Sequence, residues 1–298
     1  MKSKAILKEL SPYQQGKQTE EIKQEFQLDE VIKLASNENP HGFSKKLQQA
    51  WGTLNQELNI YPDGYTSRLR TALANHLNVA ETQLVFGSGS DELIQIICRA
   101  FLYPGVNTIM ATPTFPQYKH HALIEGAEVR EIPTVDGYHD LESMANAIDE
   151  QTTVVWLCAP DNPTGTTFDQ QQFTDFMSRC PKDVLVVLDQ AYFEFVDEAH
   201  RLADQENLDT YDNLIILRTF SKAYGLAGIR VGYGITQEKI AKKLDVVRGP
   251  FNLTSIAENA ALIALSDQEF IRETVQKNKQ AKHKFQQFLD RIGWHYYE

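Results

Sequence analysis

Apolar residues recur along this chain in two rhythms. Short, largely apolar runs at 83–86, 108–111, 153–158, 184–188 and 214–217 read as strands, as does the segment 129–132, where Val129 and Ile132 flank two charged residues, and the runs at 153–158 and 184–188 have the continuity expected of strands covered on both faces. Spacings of three and four predict helices between and around them: Leu93, Ile96, Ile97 and Phe101 after the first run, then 141–148, 239–247, 255–265 and 270–289, the last with Lys, Gln and Glu on its wet face. Before the first run, helices are predicted at 20–26, 44–54 and 67–77. An apolar strand is expected to end near Leu34, and 294–297 reads as the start of another. From residue 84 onward strand and helix alternate, the pattern of an α/β fold.

Composition narrows the field. A chain of 298 residues with 42% hydrophobic content can bury one large core and part of a second. Its formal charge of −11 argues against a nucleic-acid partner, which would be met by clustered Lys and Arg, and favours a small metabolite. Cys98, Cys158 and Cys180 are far apart and show neither metal-ligand nor disulfide spacing, so they are expected to be reduced core thiols. The first ten residues lack the apolar core of a signal peptide, and no apolar run is long enough to cross a bilayer. A cytoplasmic protein is expected, without a membrane or metal site.

Candidate chemistry gathers in residues 218–234. Lys222 stands between Ser221 and small or aromatic neighbours, straight after an apolar run, a setting suited to an amine nucleophile that forms Schiff bases. Glycines at 225, 228, 232 and 234 allow a compact loop that returns Arg230 toward the lysine. A guanidinium beside a reactive amine suits a phosphorylated aldehyde.

Such a cofactor needs a phosphate seat and an acid for its ring nitrogen. The turn at 87–92, between strand and helix, offers backbone N–H groups at a helix start. Ser90 is the expected side-chain contact there, with the carboxylates of Asp91 and Glu92 turned away from the anion. Asp189 ends the most apolar strand, where an ionised carboxylate needs a positive partner, and Tyr192 follows as a donor to a ring oxygen. Asn162, in a proline-fixed turn, is a further donor, and Phe115 stands where it can cover a flat heterocycle. Each has a plainer reading alone: Lys222 on a glycine-rich surface turn, Asp189 as a cap, Phe115 as core, Tyr61 in an ordinary turn. Their company changes the balance.

Taken in order, Ser-Asn-Glu-Asn-Pro at 36–40, Tyr-Pro-Asp-Gly at 61–64, Asn-Pro-Thr-Gly at 162–165, Asp-x-Ala-Tyr at 189–192 and Ser-Lys-Ala-Tyr-Gly-Leu-Ala-Gly-Ile-Arg at 221–230 resemble the histidinol-phosphate aminotransferase family of fold-type I pyridoxal-phosphate enzymes. The resemblance covers essentially the whole chain. It implies a mostly parallel central sheet sandwiched by helices, with an N-terminal arm and part of a small α/β domain in residues 1–42. The large cofactor domain would be 43–250, and 251–298 an interdomain helix with part of the small domain.

By resemblance, Lys222 is the Schiff-base lysine and proton carrier, Asp189 the partner of the ring nitrogen, and Asn162 and Tyr192 donors to the ring oxygen. Ser90, Asp91, Glu92, Ser221 and Arg230 fall in the cofactor-binding segments, with the phosphate on Ser90, Asp91, Ser221 and Arg230. Tyr61 would reach the same phosphate across a homodimer interface. Phe115 would lie on the ring, and Tyr13 and Asn37 match positions near substrate. The implied activity is transamination between L-histidinol phosphate and 2-oxoglutarate in histidine biosynthesis. Aromatic transamination and phosphothreonine decarboxylation are rivals on the same fold, as is a cofactor-binding protein without activity. Two residues depart from the family pattern, Asp161 for asparagine and Gln190 for glutamate. The family continues for about one more small subdomain carrying substrate arginines, so a truncated chain is a further expectation.

Overall fold

The structure, a computed structural model, describes residues 1–12, 16–54 and 57–297. In chain order it contains α1 (Thr19–Phe26), α2 (Lys45–Ala50), α3 (Ser67–Leu77), β1 (Leu84–Gly87), α4 (Ser90–Phe101), β2 (Asn107–Thr112), α5 (Gln117–Glu125), β3 (Glu128–Pro133), α6 (Leu141–Asn146) and β4 (Thr152–Cys158). There follow α7 (Gln170–Arg179), β5 (Leu185–Asp189), α8 (Asp204–Thr210), β6 (Leu214–Thr219), β7 (Gly232–Thr236), α9 (Glu238–Val247), α10 (Ser255–Leu265) and α11 (Gln268–Ile292). The strands form one sheet in the order β1-β7-β6-β5-β4-β2-β3. Only the contacts of β7 with β1 and β6 are antiparallel. The fold is thus the expected α/β sandwich on a mostly parallel sheet.

Strand alternation divides the interior in two. Val155, Leu157, Val186, Leu188, Leu214 and Ile216 face one core, shared with Leu69 and Leu73 of α3, Phe173 and Phe176 of α7, and the alanines of α10. Val154, Trp156, Leu185, Val187, Ile215 and Leu217 face the other, against Leu93, Ile94 and Ile97 of α4, Tyr118 of α5 and Leu244 of α9. The same parity fixes which way each strand's last residue points. Cys158, Asp189 and Thr219 continue the second set, whereas Gln190 and Arg218 continue the first.

Two expected strands are absent. Residues 31–34 form no strand, and Ile32 and Leu34 are 81% and 87% exposed, so that apolar run has no partner within the described chain. Residues 294–297 likewise form none. The glycine run after Arg230, expected to be loop, is instead β7, whose Tyr233 and Ile235 enter the first core while Gly232 and Gly234 face the second side. The three cysteines are free and buried. Among the described residues no helix is long and apolar enough to cross a membrane.

Candidate active site

The carboxyl ends of β4, β5 and β6 and the amino end of α4 surround a cavity of about 100 Å³ that opens into a wider cleft of about 460 Å³. Asn162, Tyr192 and Lys222 line both. Clefts at strand carboxyl ends are where open α/β sheets bind ligands. Ser90, Asp91, Phe115, Asp189, Ser221 and Arg230 also line the inner cavity, so the structure brings together ten of the thirteen residues singled out by sequence when Asn37, in the outer cleft, is counted.

Asp189 forms the floor. It is 3% exposed and accepts hydrogen bonds from Tyr118 Oη at 2.7 Å and from the Ala191 N–H at 3.0 Å. Both donors are neutral. Burial pushes its carboxyl up to about 6, against the downward pull of those two bonds. A carboxylate enclosed this way is stabilised by any cation that enters the cavity.

Lys222 faces it from the turn after β6. Its Nζ donates to the Ser36 carbonyl at 3.1 Å and lies 5.6 Å from the Tyr192 ring centroid. Burial lowers its pKa, with the nearby Asp91 charge opposing, so more of the amine is neutral and nucleophilic than in water. Asn37, in left-handed conformation at φ 52°, donates from Nδ2 to Tyr192 Oη at 3.0 Å. That leaves the Tyr192 hydrogen free to point elsewhere, and burial raises this phenol to about 12, keeping it a donor at neutral pH.

The opposite end is cationic. Arg230 adopts φ 64°, an uncommon region for a side-chain-bearing residue. Its Nη1 donates to Ser221 Oγ at 3.2 Å, its Nη2 to the Ser88 carbonyl at 3.2 Å, and Asp91 lies 3.8 Å away. Close approach explains two glycines beside it. A Cβ on Gly89, at φ 82°, would sit 2.2 Å from the guanidinium, and one on Gly232 would sit 2.4 Å from the Ser90 nitrogen. The first turn of α4 therefore presents its N–H groups beside a guanidinium and two serine hydroxyls, a dianion seat.

Two expected site residues lie elsewhere. Glu92 accepts from the Ser88 N–H and from Asn252 Nδ2 at 2.8 Å, so it braces the loop and does not line the cavity, correcting its place among the cofactor-binding residues. Tyr61 is 80% exposed and stacks on Phe251 at 4.9 Å. Tyr13 lies outside the described residues. Sequence reasoning missed Tyr118, the hydroxyl bonded to Asp189, because α5 has almost no apolar periodicity to announce it. Cys158 and Thr219 were also missed, although their parity with Asp189 on neighbouring strands was available as a signal. Among the described residues no cluster of three or more His, Cys, Asp or Glu forms a metal site.

The features of the cavity fit pyridoxal 5′-phosphate: a buried carboxylate lacking a cation, a desolvated lysine, and a glycine-lined anion seat at the other end. Residues 29–298 match the family described as aminotransferase class I and II. The chain is 56% identical over 297 residues to the histidinol-phosphate aminotransferase of a Geobacillus species, covering all of this chain and 81% of that protein. It is 55% identical over 299 residues to histidinol-phosphate aminotransferase 2 of Oceanobacillus iheyensis, covering all of this chain and 82% of that one. Among solved structures, the histidinol-phosphate aminotransferase of Sinorhizobium meliloti in complex with pyridoxal-5′-phosphate superposes with a TM-score of 0.89 at 27% identity, over 97% of this chain and 77% of that one.

Proposed function

The chain belongs to the class I and II aminotransferases, and from that premise we propose that it exchanges an amino group reversibly between L-histidinol phosphate and 2-oxoglutarate, giving imidazole-acetol phosphate and L-glutamate, with pyridoxal 5′-phosphate as cofactor. Bound there, the cofactor supplies an electron sink for the substrate carbanion. The observation that carries the reading is the pairing of a desolvated lysine with an uncompensated buried carboxylate across one cavity.

The chain's own residues divide the work by position. Asp189 holds a proton on the ring nitrogen, because a cation in contact with its carboxylate relieves the cost of burial. The first-turn N–H groups of α4, with Ser90, Ser221 and Arg230, hold the phosphate, and Asp91 orients the guanidinium. Asn162 and Tyr192 donate to the ring oxygen, and Asn37 fixes the phenol that does so. Phe115, edge-on to Tyr118 at 5.6 Å, covers one face of the ring. Lys222 Nζ carries the proton to and from the substrate carbon, and the Ser36 carbonyl is its resting partner. Tyr61, exposed beside other uncovered apolar residues at Leu58, Ile60 and Tyr65, meets a second copy of the chain and reaches that copy's phosphate seat.

Lys222→Ala tests the core of this reading. Turnover of histidinol phosphate should fall on the order of 10³-fold or more while the unfolding curve is retained; a variant with near-normal turnover would remove the assignment. Steady-state comparison of histidinol phosphate, phenylalanine and phosphothreonine checks the substrate. Sedimentation of the Tyr61→Glu protein checks the second copy, with dissociation to monomer expected.

A further inference from the structure

Next to the cavity lies a second enclosed carboxylate, to which no role has been given. The Asp161 side chain is fully enclosed, and it accepts hydrogen bonds from Thr114 Oγ1 at 2.6 Å and Thr164 Oγ1 at 3.2 Å. The Nε2 of His139 lies 3.4 Å from Asp161 Oδ1, and that imidazole is itself only 2% exposed. Neither ring nitrogen of His139 has a hydrogen bond of ordinary geometry among the described residues. Two hydroxyls alone do not compensate an ionised carboxylate taken out of water. The imidazole is the basic group at ion-pairing distance.

The groups meeting at Asp161 come from separate segments. Thr114 follows β2 and immediately precedes Phe115, which lines the cavity. Asp161 follows β4 and immediately precedes Asn162, which lines it too. His139 comes from the turn between β3 and α6, which is fastened to the same loop by Thr166 Oγ1 donating to the Gly137 carbonyl at 2.7 Å. The carboxylate is thus the knot between two walls of the cavity, and His139 is the third strand of that knot. Its charge is also felt inside: burial is the main cause of the raised Asp189 and Tyr192, and Asp161 adds to both.

We propose that His139 and Asp161 form a buried imidazole–carboxylate couple that positions Asn162 and Phe115 around the cofactor ring, making His139 a positioning residue for a site it does not touch. The couple rests on the pyridoxal-phosphate reading only for its consequence; the couple itself is a property of the chain.

A double-mutant cycle tests it, with pyridoxal phosphate affinity read by titration of its visible absorption in the wild type, His139→Phe, Asp161→Asn and the double variant. His139→Phe should weaken binding about tenfold in the wild-type background, the equivalent of ~1.4 kcal/mol from one buried polar contact at ion-pairing distance, and less than about twofold once Asp161 is asparagine. His139→Gln, which keeps an N–H donor, should retain most of the affinity. Equal losses in both backgrounds would mean that the ring acts by packing alone, and no loss in the wild type would mean that Asp161 needs no counter-charge; either overturns the proposal. Urea unfolding of the same four proteins without cofactor gives an independent coupling between 139 and 161. Should the wild type bind no pyridoxal phosphate, the cofactor reading fails, and the unfolding cycle still decides the couple.

Discussion

At the end of β5, two consecutive residues enter opposite faces of the sheet and meet opposite electrostatic treatment. Asp189 points into the cavity, where its carboxylate has neutral donors and an open side. Gln190 points into the other core, where its Oε1 accepts from Arg218 Nε at 3.2 Å and its Nε2 donates to Asp204 Oδ1 at 2.9 Å, while Arg218 also pairs with Asp204. The Arg218 guanidinium lies 3.4 Å from the Phe193 ring centroid, closing the cluster. Burial raises the Asp204 carboxyl despite the opposing pull of Arg218, so enclosure alone does not separate the two sites. What separates them is a resident cation. One carboxylate is completed within the chain and braces structure; the other is left incomplete, and a ligand completes it.

The largest effect should come from neutralising the incomplete one. Asp189→Asn should lower kcat/KM for histidinol phosphate on the order of 10³-fold, because an amide cannot hold the ring nitrogen protonated. The same change should stabilise the cofactor-free protein at neutral pH by ~1 to 3 kcal/mol, since a buried charge without a partner is removed. Activity and urea unfolding measured on one preparation would show the opposed signs. A variant that loses activity and stability together would place Asp189 with the structural ion pairs.

The completed cluster should respond the other way. Arg218→Met removes the guanidinium paired with Asp204 and felt by the neighbouring buried Glu194, leaving Arg201 as the weaker cation acting on both, and removing one member of a buried pair costs roughly 3 to 5 kcal/mol. Unfolding should therefore shift strongly, while cofactor affinity of the protein that remains folded changes little. A large loss of affinity without a loss of stability would show that the cluster acts on the cavity.

pH separates the two without changing more than one residue. The Asp189 carboxyl stands near 6 in the fold against an ordinary 3.8, so the folded state binds the extra proton between those values. Its contribution to stability is therefore fully present below about pH 4, is lost as pH rises through about 6, and is flat above, with a span of about 3 kcal/mol at most. Subtracting the Asp189→Asn curve from that of cofactor-free wild type isolates it from other buried acids. The slope should vanish when the cofactor is bound, and a difference curve that is flat or rises with pH would contradict the raised carboxyl.

Much of this contrast could be read before any coordinates. The apolar run ending at Asp189 announced a buried carboxylate, the motif order brought Lys222, Arg230 and Asn162 into one argument, and the strand, glycine turn and helix start at 84–93 added Ser90. The Gln190 cluster was not legible, because Arg218 and Asp204 are brought together by strand pairing and by the start of α8, a helix without a periodic apolar face. β7 was hidden for a related reason: Gly232 and Gly234 are there for close approach to Ser90 and Val85, and glycine carries no strand signal of its own. Conversely, the run ending at Leu34 has the composition of a strand, but no neighbouring edge among the described residues takes it up.

Gln190 offers the smallest and most specific test. Its amide works because it is neutral and two-faced, accepting from a guanidinium while donating to a carboxylate. Gln190→Glu keeps the acceptor for Arg218 but places a second carboxylate oxygen where a donor stood 2.9 Å from Asp204 Oδ1. One of the two acids must then take up a proton, or both must share the one guanidinium. At neutral pH the expected cost is ~1 to 2 kcal/mol, the penalty of a like-charge contact partly offset by stronger attraction to Arg218. Because protonation removes the repulsion, the penalty should shrink as pH falls toward 5 in urea unfolding. A Gln190→Glu protein as stable as wild type at every pH would mean that the cluster has slack for another anion, and the contrast between a completed and an incomplete carboxylate would rest on Asp189 alone.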